Sequence, residues 1–493
     1  MKKMTALLLV FVFLFTSLSA ASAAKKNSDP SPTSEPIPEP TLSPDAADYD
    51  PEHPENLDPD QLYALSAVLM TQEKGEIIFE KDPDTIRYPA SMTKILTVLL
   101  GIMYVDDLYQ TVVVSDTAVA VPEDSSTMYL KAGEEIRFID VLYGTMLLSA
   151  NDGANVIAET VSGDIPRFVS LMNDTARAFG CYSTHFVNAH GYHDDDHYST
   201  ARDIAVISRE AMKNDTFREI AGTVTYQIPR SNMQRARTIT TKSEYMLTGS
   251  EDKPNKYYYE YATGLKTGSH SHSGYCFAGS ASKNGVDLIS VVMYTGKRAR
   301  WADTIKLMNY GFSQYMSVTP VELYNMNPIT IETSNYSTSD SNRGRIQLIC
   351  TPSEGTGNVY IVSTKSDIRR MADNLKDYVL IQYTRDDFQA PFTAGEKIGT
   401  MTYFPDKGDP AVYILSASRS VDQRENVPKT LEQIIAETNA DPNPFPPFSF
   451  ELALILFGPL LLIAGLTAFL LIRRKKRGAH HLRAPKPVNR YVK

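Results

Sequence analysis

Residues 95–103 carry apolar side chains on every side of the helix they would form: Ile95, Leu96, Val98, Leu99, Leu100, Ile102 and Met103. A helix with no polar face has to be covered all round, so this one belongs in the middle of a layered domain. The flanking sequence supplies candidate layers. Residues 65–70 and 76–80 read as two strands around Gly75, and residues 142–148, 154–161 and 200–212 as helical pieces. Residues 274–282 and 286–294 are strand-like runs on either side of Asn284-Gly285, a strong hairpin signal. Residues 298–309 then predict a helix that closes at Gly311. Strands at both ends with helices between them predict an α+β domain over 61–315.

The rest of the chain divides by composition. Lys2 and Lys3, an apolar run and Ala21-Ser22-Ala23 predict a cleaved export signal over 1–23. Residues 24–60 are rich in Pro, Ser, Asp and Glu, which predicts a solvated tether. Short strands expected at 329–331, 347–350, 359–362, 379–383, 398–404 and 411–417 predict a small all-β domain over 316–420. A linker over 421–447 leads to an apolar run in 448–472, about the 20 residues that span a bilayer. Arg473-Arg474-Lys475-Lys476-Arg477 follows at once and predicts a cytoplasmic tail over 473–493. The expected localisation is therefore the cell membrane, crossed once, with the folded domains outside. The net charge of −9 argues against a nucleic-acid partner. Cys181, Cys276 and Cys350 form no CxxC pair, so no cysteine metal site is expected.

The central helix begins beside a candidate nucleophile. Ser91 and Lys94 are three apart, on one helical face. A serine hydroxyl attacks only when a base takes its proton, and a lysine is that base only when burial or nearby positive charge keeps it neutral. Pro89 suits a sharp entry into the helix, leaving backbone N–H groups near Ser91 for an oxyanion. S-x-x-K alone is a weak signal, but two more triplets follow. Ser149-Ala150-Asn151 offers a hydroxyl to relay a proton and an amide to hold a substrate backbone. Lys266-Thr267-Gly268 offers a charge and a hydroxyl suited to a terminal carboxylate, with Gly268 permitting close approach to a strand. The ordered set S-x-x-K, S-x-N, K-T-G marks penicillin-binding proteins and class A β-lactamases.

These residues, with 88–94, 149–152, 186–191, 197–203, 264–268 and 274–277, make the chain resemble the serine-type D-alanyl-D-alanine carboxypeptidases, the low-molecular-mass penicillin-binding proteins. The resemblance covers about 61–312. It implies an α+β fold of the β-lactamase/transpeptidase type, an antiparallel sheet with helices, followed by the small β domain and the C-terminal transmembrane helix. It implies that Ser91 forms the acyl-enzyme, Lys94 is the general base and Ser149 assists proton transfer. Asn151, Lys266, Thr267 and Gly268 would bind substrate, with the N–H groups of Ser91 and Ser269 as the oxyanion hole and Arg300 near the substrate carboxylate. The implied partners are peptidoglycan stem peptides and β-lactams acting as covalent inhibitors, with no cofactor and no metal. Two departures stand out: 269–273 reads Ser-His-Ser-His-Ser where the family often has a threonine, an acid and an alanine, and Ala189 stands where proline is usual.

Three other readings compete. His193 and His197 are four apart, a metal spacing on a helix, which would suit a zinc-dependent peptidase; the Asp-rich sequence around them is poor helix. A class A β-lactamase needs a deacylating glutamate, and no Glu-x-x-Leu-Asn pattern follows Asn151. A penicillin-binding scaffold with little turnover would explain the histidines after Gly268, against the intact Ser91, Lys94 and Lys266.

Overall fold

A computed structural model of the chain describes residues 40–42, 47–406, 408–424, 431–432, 435–436 and 463–467. The expected export signal and basic tail lie outside the described residues, as does the expected membrane span over 448–472 apart from 463–467, which are helical. Among the described residues no helix is long and apolar enough to cross a membrane. Contacts divide the chain into two compact units. One holds residues up to 328 together with 350–382 and 400–414, and the other holds 329–349, 383–399 and 415 onward.

The first unit is built on a five-stranded sheet. In chain order its central elements are β1 (Ser66–Thr71), β2 (Ile77–Lys81), α1 (Lys94–Tyr104), α2 (Phe138–Leu147), α3 (Asn151–Ser162), α4 (Ile165–Ala178), α5 (Ala201–Met212), α6 (Asp215–Gly222), β3 (Ala262–His270), β4 (Gly274–Lys283), β5 (Val286–Thr295) and α7 (Ala299–Gln314). The sheet runs β2-β1-β5-β4-β3, and every neighbouring pair is antiparallel. The β4–β5 hairpin turns at Asn284 (φ 51°) and Gly285 (φ 78°), the two positive φ values that a two-residue turn matching the strand twist requires.

Both faces of this sheet are buried, so β1 reads as a continuous apolar run. Successive side chains of a strand point to opposite faces. Val68 and Met70 therefore enter one core with α1, α2, α3 and α5, while Ala67 and Leu69 enter a second with Phe277, Trp301 and Leu307. The helix expected over 95–103 sits in the first core, buried from Lys94 to Gly101. Folded structure starts earlier than the tether boundary at 60 suggests. Leu57 belongs to the second core, and Asp58 caps the short turn Pro59–Gln61 with a reciprocal bond from its own N–H to Gln61 Oε1 (2.8 Å).

Gly311 does not end α7, contrary to the sequence expectation. The helix runs three residues past it, and a Cβ there would lie 2.5 Å from Leu288 Cδ1. The glycine lets the helix lie close on β5 rather than stopping it. Two amphipathic helices that the sequence reading passed over, α4 and α6, are each capped by a side chain: Asp164 accepts from Arg167 N–H and Asn214 from Phe217 N–H.

The six expected C-terminal strands form at Thr330–Glu332, Arg345–Pro352, Ile361–Thr364, Val379–Tyr383, Lys397–Tyr403 and Ala411–Ala417. The region is nonetheless not all β, because helix Pro320–Met326 precedes the first of them and helix Lys365–Asp373 lies among them. Lys365–Asp373 buries only Ile368 and Ala372, too few apolar positions to stand out by periodicity. Its start is marked instead by Thr364, whose hydroxyl accepts from Asp367 N–H.

Candidate active site

Ser91 lies in a tight 3-10 turn, Ala90–Thr93, that leads into α1 at Lys94. Ala90 adopts φ 48°, a left-handed conformation that costs an alanine on the order of 1–2 kcal/mol. Thr93 Oγ1 ties the turn by donating to the Ala90 carbonyl (2.8 Å). Lys94 is fully buried, and its Nζ lies 2.9 Å from Ser91 Oγ, 2.8 Å from Asn151 Oδ1 and 2.5 Å from the His190 carbonyl. Two of these three neighbours only accept. A neutral amine has two hydrogens and one lone pair. With both hydrogens on Asn151 Oδ1 and the His190 carbonyl, the lone pair is left facing the Ser91 hydroxyl.

The environment favours that neutral form. Burial pushes the Lys94 pKa well below the ordinary lysine value, and the positive charges of Lys266 and then Lys242 push it further, against the opposing pull of Asp152. Lys266, also buried, is lowered by burial first and then by Lys242 and Arg300.

The second wall is the link between α2 and α3. Ser149 is buried and holds φ 63°, a second strained non-glycine residue beside a reactive hydroxyl. Asn151, the first residue of α3, accepts from Lys94, donates from Nδ2 to Ser125 Oγ (3.0 Å) and from its backbone N–H to the Ser126 carbonyl (2.7 Å). Asp152 anchors the same loop by accepting from Met128 N–H and Leu130 N–H, both at 3.0 Å.

The third wall is β3, which carries Lys266, Thr267, Gly268 and Ser269. A Cβ on Gly268 would lie 2.8 Å from the Pro89 carbonyl and 3.3 Å from Ala90 Cβ, so the strand packs directly on the Ser91 turn and Ser269 follows at its exposed edge. Arg300 is buried at the start of α7, stacked over Trp301 (4.3 Å) and Tyr275 (5.1 Å), with its Nε unpartnered. Burial lowers its pKa, as it does for Lys266 and for Lys242, whose Nζ donates to Ser126 Oγ (2.9 Å). No ion pair among the described residues takes up the charge of any of the three. A group of partly desolvated cations with no carboxylate in ion-pair contact is suited to a bound carboxylate.

Every residue singled out from the triplets thus lies on one of three walls that meet at Ser91 and Lys94. Sequence reasoning missed Lys242, the His190 carbonyl and the Ser125–Ser126 loop. No motif surrounds Lys242, and a main-chain carbonyl leaves no mark in a sequence.

The loop over 186–197 closes the site. Asn188 Oδ1 accepts from His190 N–H (3.2 Å) and Gly191 N–H (2.7 Å), bending the chain so that the His190 carbonyl meets Lys94. His197 is fully buried; its Nε2 pairs with Thr93 Oγ1 (2.8 Å) and its Nδ1 accepts from Val187 N–H (3.2 Å). With both ring nitrogens engaged, His197 offers nothing to an ion, and the zinc-peptidase spacing of His193 with His197 is not realised. Among the described residues one group of histidines lies close enough to share an ion, His193 with His270 and His272.

The family model described as D-alanyl-D-alanine carboxypeptidase matches residues 53–296. The D-alanyl-D-alanine carboxypeptidase DacF of Bacillus subtilis is 27% identical over 342 residues, covering 69% of this chain and 80% of the relative. The D-alanyl-D-alanine carboxypeptidase DacA of Haemophilus influenzae is 30% identical over 287 residues, covering 54% of this chain and 65% of the relative. Among solved structures, a Streptomyces DD-transpeptidase is 29% identical, with a TM-score of 0.47 over 51% of this chain and 97% of that one.

Proposed function

The chain belongs to the serine D-alanyl-D-alanine carboxypeptidase family, and on that premise we propose that it removes the terminal D-alanine from peptidoglycan stem peptides through an acyl-enzyme on Ser91. The observation that carries the chemistry is the hydrogen-bond inventory at Lys94. Two acceptor-only neighbours, Asn151 Oδ1 and the His190 carbonyl, leave a neutral amine one lone pair, and that lone pair faces Ser91 Oγ.

Ser91 Oγ attacks the carbonyl of the D-Ala-D-Ala bond as its proton passes to Lys94 Nζ. The oxyanion is met by the N–H groups of Ser91 and Ser269, on the turn and strand that pack together at Gly268. The proton then reaches the leaving amine by way of Ser149, and D-alanine departs. Water attacks the ester, Lys94 again takes a proton, and the stem peptide leaves one residue shorter. Lys266, Thr267 and Arg300 hold the terminal carboxylate, which supplies the anion their site lacks. A penicillin carries a carboxylate beside a strained amide and acylates the same serine, so β-lactams act as covalent inhibitors.

The proposed setting is the outer face of the cytoplasmic membrane, with the chain held by one helix over 448–472. What supports it is the apolar run and the five basic residues after it, which favour a cytoplasmic C-terminus. The decisive experiment is intact-protein mass spectrometry with benzylpenicillin, followed by D-alanine release from a pentapeptide. The expected result is one adduct on Ser91 and release that Ser91→Ala abolishes. An adduct without any release leaves a penicillin-binding scaffold, and release that persists in Ser91→Ala overturns the mechanism.

A further inference from the structure

Outside the acylation chemistry, three histidines from two separate segments converge at the lip of the cleft. His193 comes from the loop over 186–197, while His270 and His272 come from the β3–β4 turn. Each ring offers one nitrogen, and the three nitrogens lie within 4.8 Å of one another. His193 stacks on His272 with ring centroids 3.9 Å apart and lies 5.0 Å from His270. His193 Nδ1 is buried and has no hydrogen-bond partner, an uncommon state for a ring nitrogen.

We propose that His193, His270 and His272 form a binding site for one divalent transition-metal ion of the zinc class, which clamps the loop over 186–197 to the β3–β4 turn beside the active site. Imidazole nitrogen is a preferred ligand for zinc, copper and nickel, whereas calcium and magnesium prefer oxygen. The groups behind the rings fit the assignment. A metal-bound histidine commonly directs its other nitrogen at a carboxylate or other acceptor, which fixes the ring. His193 Nε2 lies 3.6 Å from Asp195 Oδ1, and Asp195 is itself held by the Tyr88 hydroxyl, which donates at 3.0 Å. That leaves Nδ1, the unpartnered atom, for the ion. His272 Nδ1 lies 3.1 Å from Ser271 Oγ, which leaves its Nε2 for the ion.

His270 is the weaker ligand. Its Nδ1 accepts from the N–H groups of His272 (3.1 Å) and Ser273 (3.0 Å), so its other nitrogen carries the ring proton, and it joins only when that proton moves to Nδ1 and these two bonds are given up. The ion therefore depends on His193 and His272, with His270 completing the set. Nitrogens around a tetrahedral zinc at 2.0–2.1 Å sit about 3.4 Å apart, so the rings close by roughly 1 Å on binding.

The linkage has a direction. His193 sits two residues after Gly191, in the loop whose His190 carbonyl orients Lys94, and His270 follows Ser269 at the oxyanion site. An ion on these rings ties the two walls together without touching Ser91.

The test is calorimetric titration of the full chain with zinc chloride after chelator treatment. One saturable site per chain is expected. His193→Ala and His272→Ala each lower the affinity at least tenfold, and Asp195→Asn lowers it about tenfold, the smaller loss usual for a group behind a ligand. His53→Ala, exposed and outside the loop and the turn, leaves it unchanged. Fluorescent-penicillin labelling of each variant confirms that it is folded. No saturable site in the wild type, or equal affinity in wild type, His193→Ala and His272→Ala, overturns the proposal.

Discussion

Replacing Gly191 by alanine tests whether the loop over 186–197 holds Lys94 in place. Gly191 has φ 80°, and a Cβ there would lie 1.9 Å from the Ala90 carbonyl oxygen, 2.4 Å from its carbon and 2.8 Å from Thr93 Oγ1. The conformation alone costs an alanine on the order of 1–2 kcal/mol. The collision adds to this, because its main partner is backbone and cannot rotate away. Restoring ordinary contact moves the loop back by roughly 1 Å, and a misplacement of that size in a catalytic array costs on the order of a hundredfold in rate. That is about 2.7 kcal/mol of barrier. The step affected is acylation, because the His190 carbonyl leaves Lys94 and frees the amine to turn away from Ser91. Gly180→Ala is the matched control: φ 86°, with nothing within 4 Å of the added Cβ. It carries the conformational cost alone, lowering Tm by about 2–8 °C at 2–4 °C per kcal/mol for a domain of this size. The assay is the second-order rate of acylation by a fluorescent penicillin, alongside a thermal melt of each variant. Gly191→Ala should acylate about a hundredfold more slowly than Gly180→Ala. Equal rates in the two variants would refute the claim that the loop positions the base.

Four further outcomes follow from the site. Acylation needs neutral Lys94, whose pKa is held well below 10.5 by burial, Lys266 and Lys242, so the rate should fall on the acid side and level off well before pH 10.5; a rate that climbs steadily toward pH 10.5 contradicts this. The same shift makes the unfolded chain bind the extra proton, so wild-type stability relative to Lys94→Met should rise with pH up to 10.5 in denaturant titrations. Asp152→Asn points an amide at the N–H groups of Met128 and Leu130 and should cost about 1–3 kcal/mol by urea denaturation, with slower acylation as the Ser125–Ser126 loop releases Asn151. Arg300→Leu should weaken the reaction with a free-acid peptide by about 10- to 100-fold, the worth of a charged hydrogen bond, and leave a C-terminal amide analogue unaffected; equal losses on both peptides would place Arg300 outside the carboxylate site.

What the sequence by itself determined is local chemistry. The apolar stretch over 95–103 demanded burial, and it lies buried from Lys94 to Gly101. Asn284-Gly285 demanded positive φ at two successive positions, and the β4–β5 hairpin turns there. The order of the three triplets pointed to Ser91, Lys94, Ser149, Asn151 and Lys266. Helix Lys365–Asp373 escaped for want of apolar periodicity, whereas at Gly311 the cause was contact. Gly311 looked like a helix stop, but its lack of a Cβ serves the approach of α7 to Leu288. Only the tertiary structure decided that Lys94 has two acceptor-only neighbours, that Lys242 joins Lys266 in depressing its pKa, and that His193 meets His270 and His272 rather than His197. Each of these depends on distances between segments far apart in the chain. Hydrogen bonding, electrostatic coupling and metal ligation act over a few ångströms of space, whatever the separation in sequence.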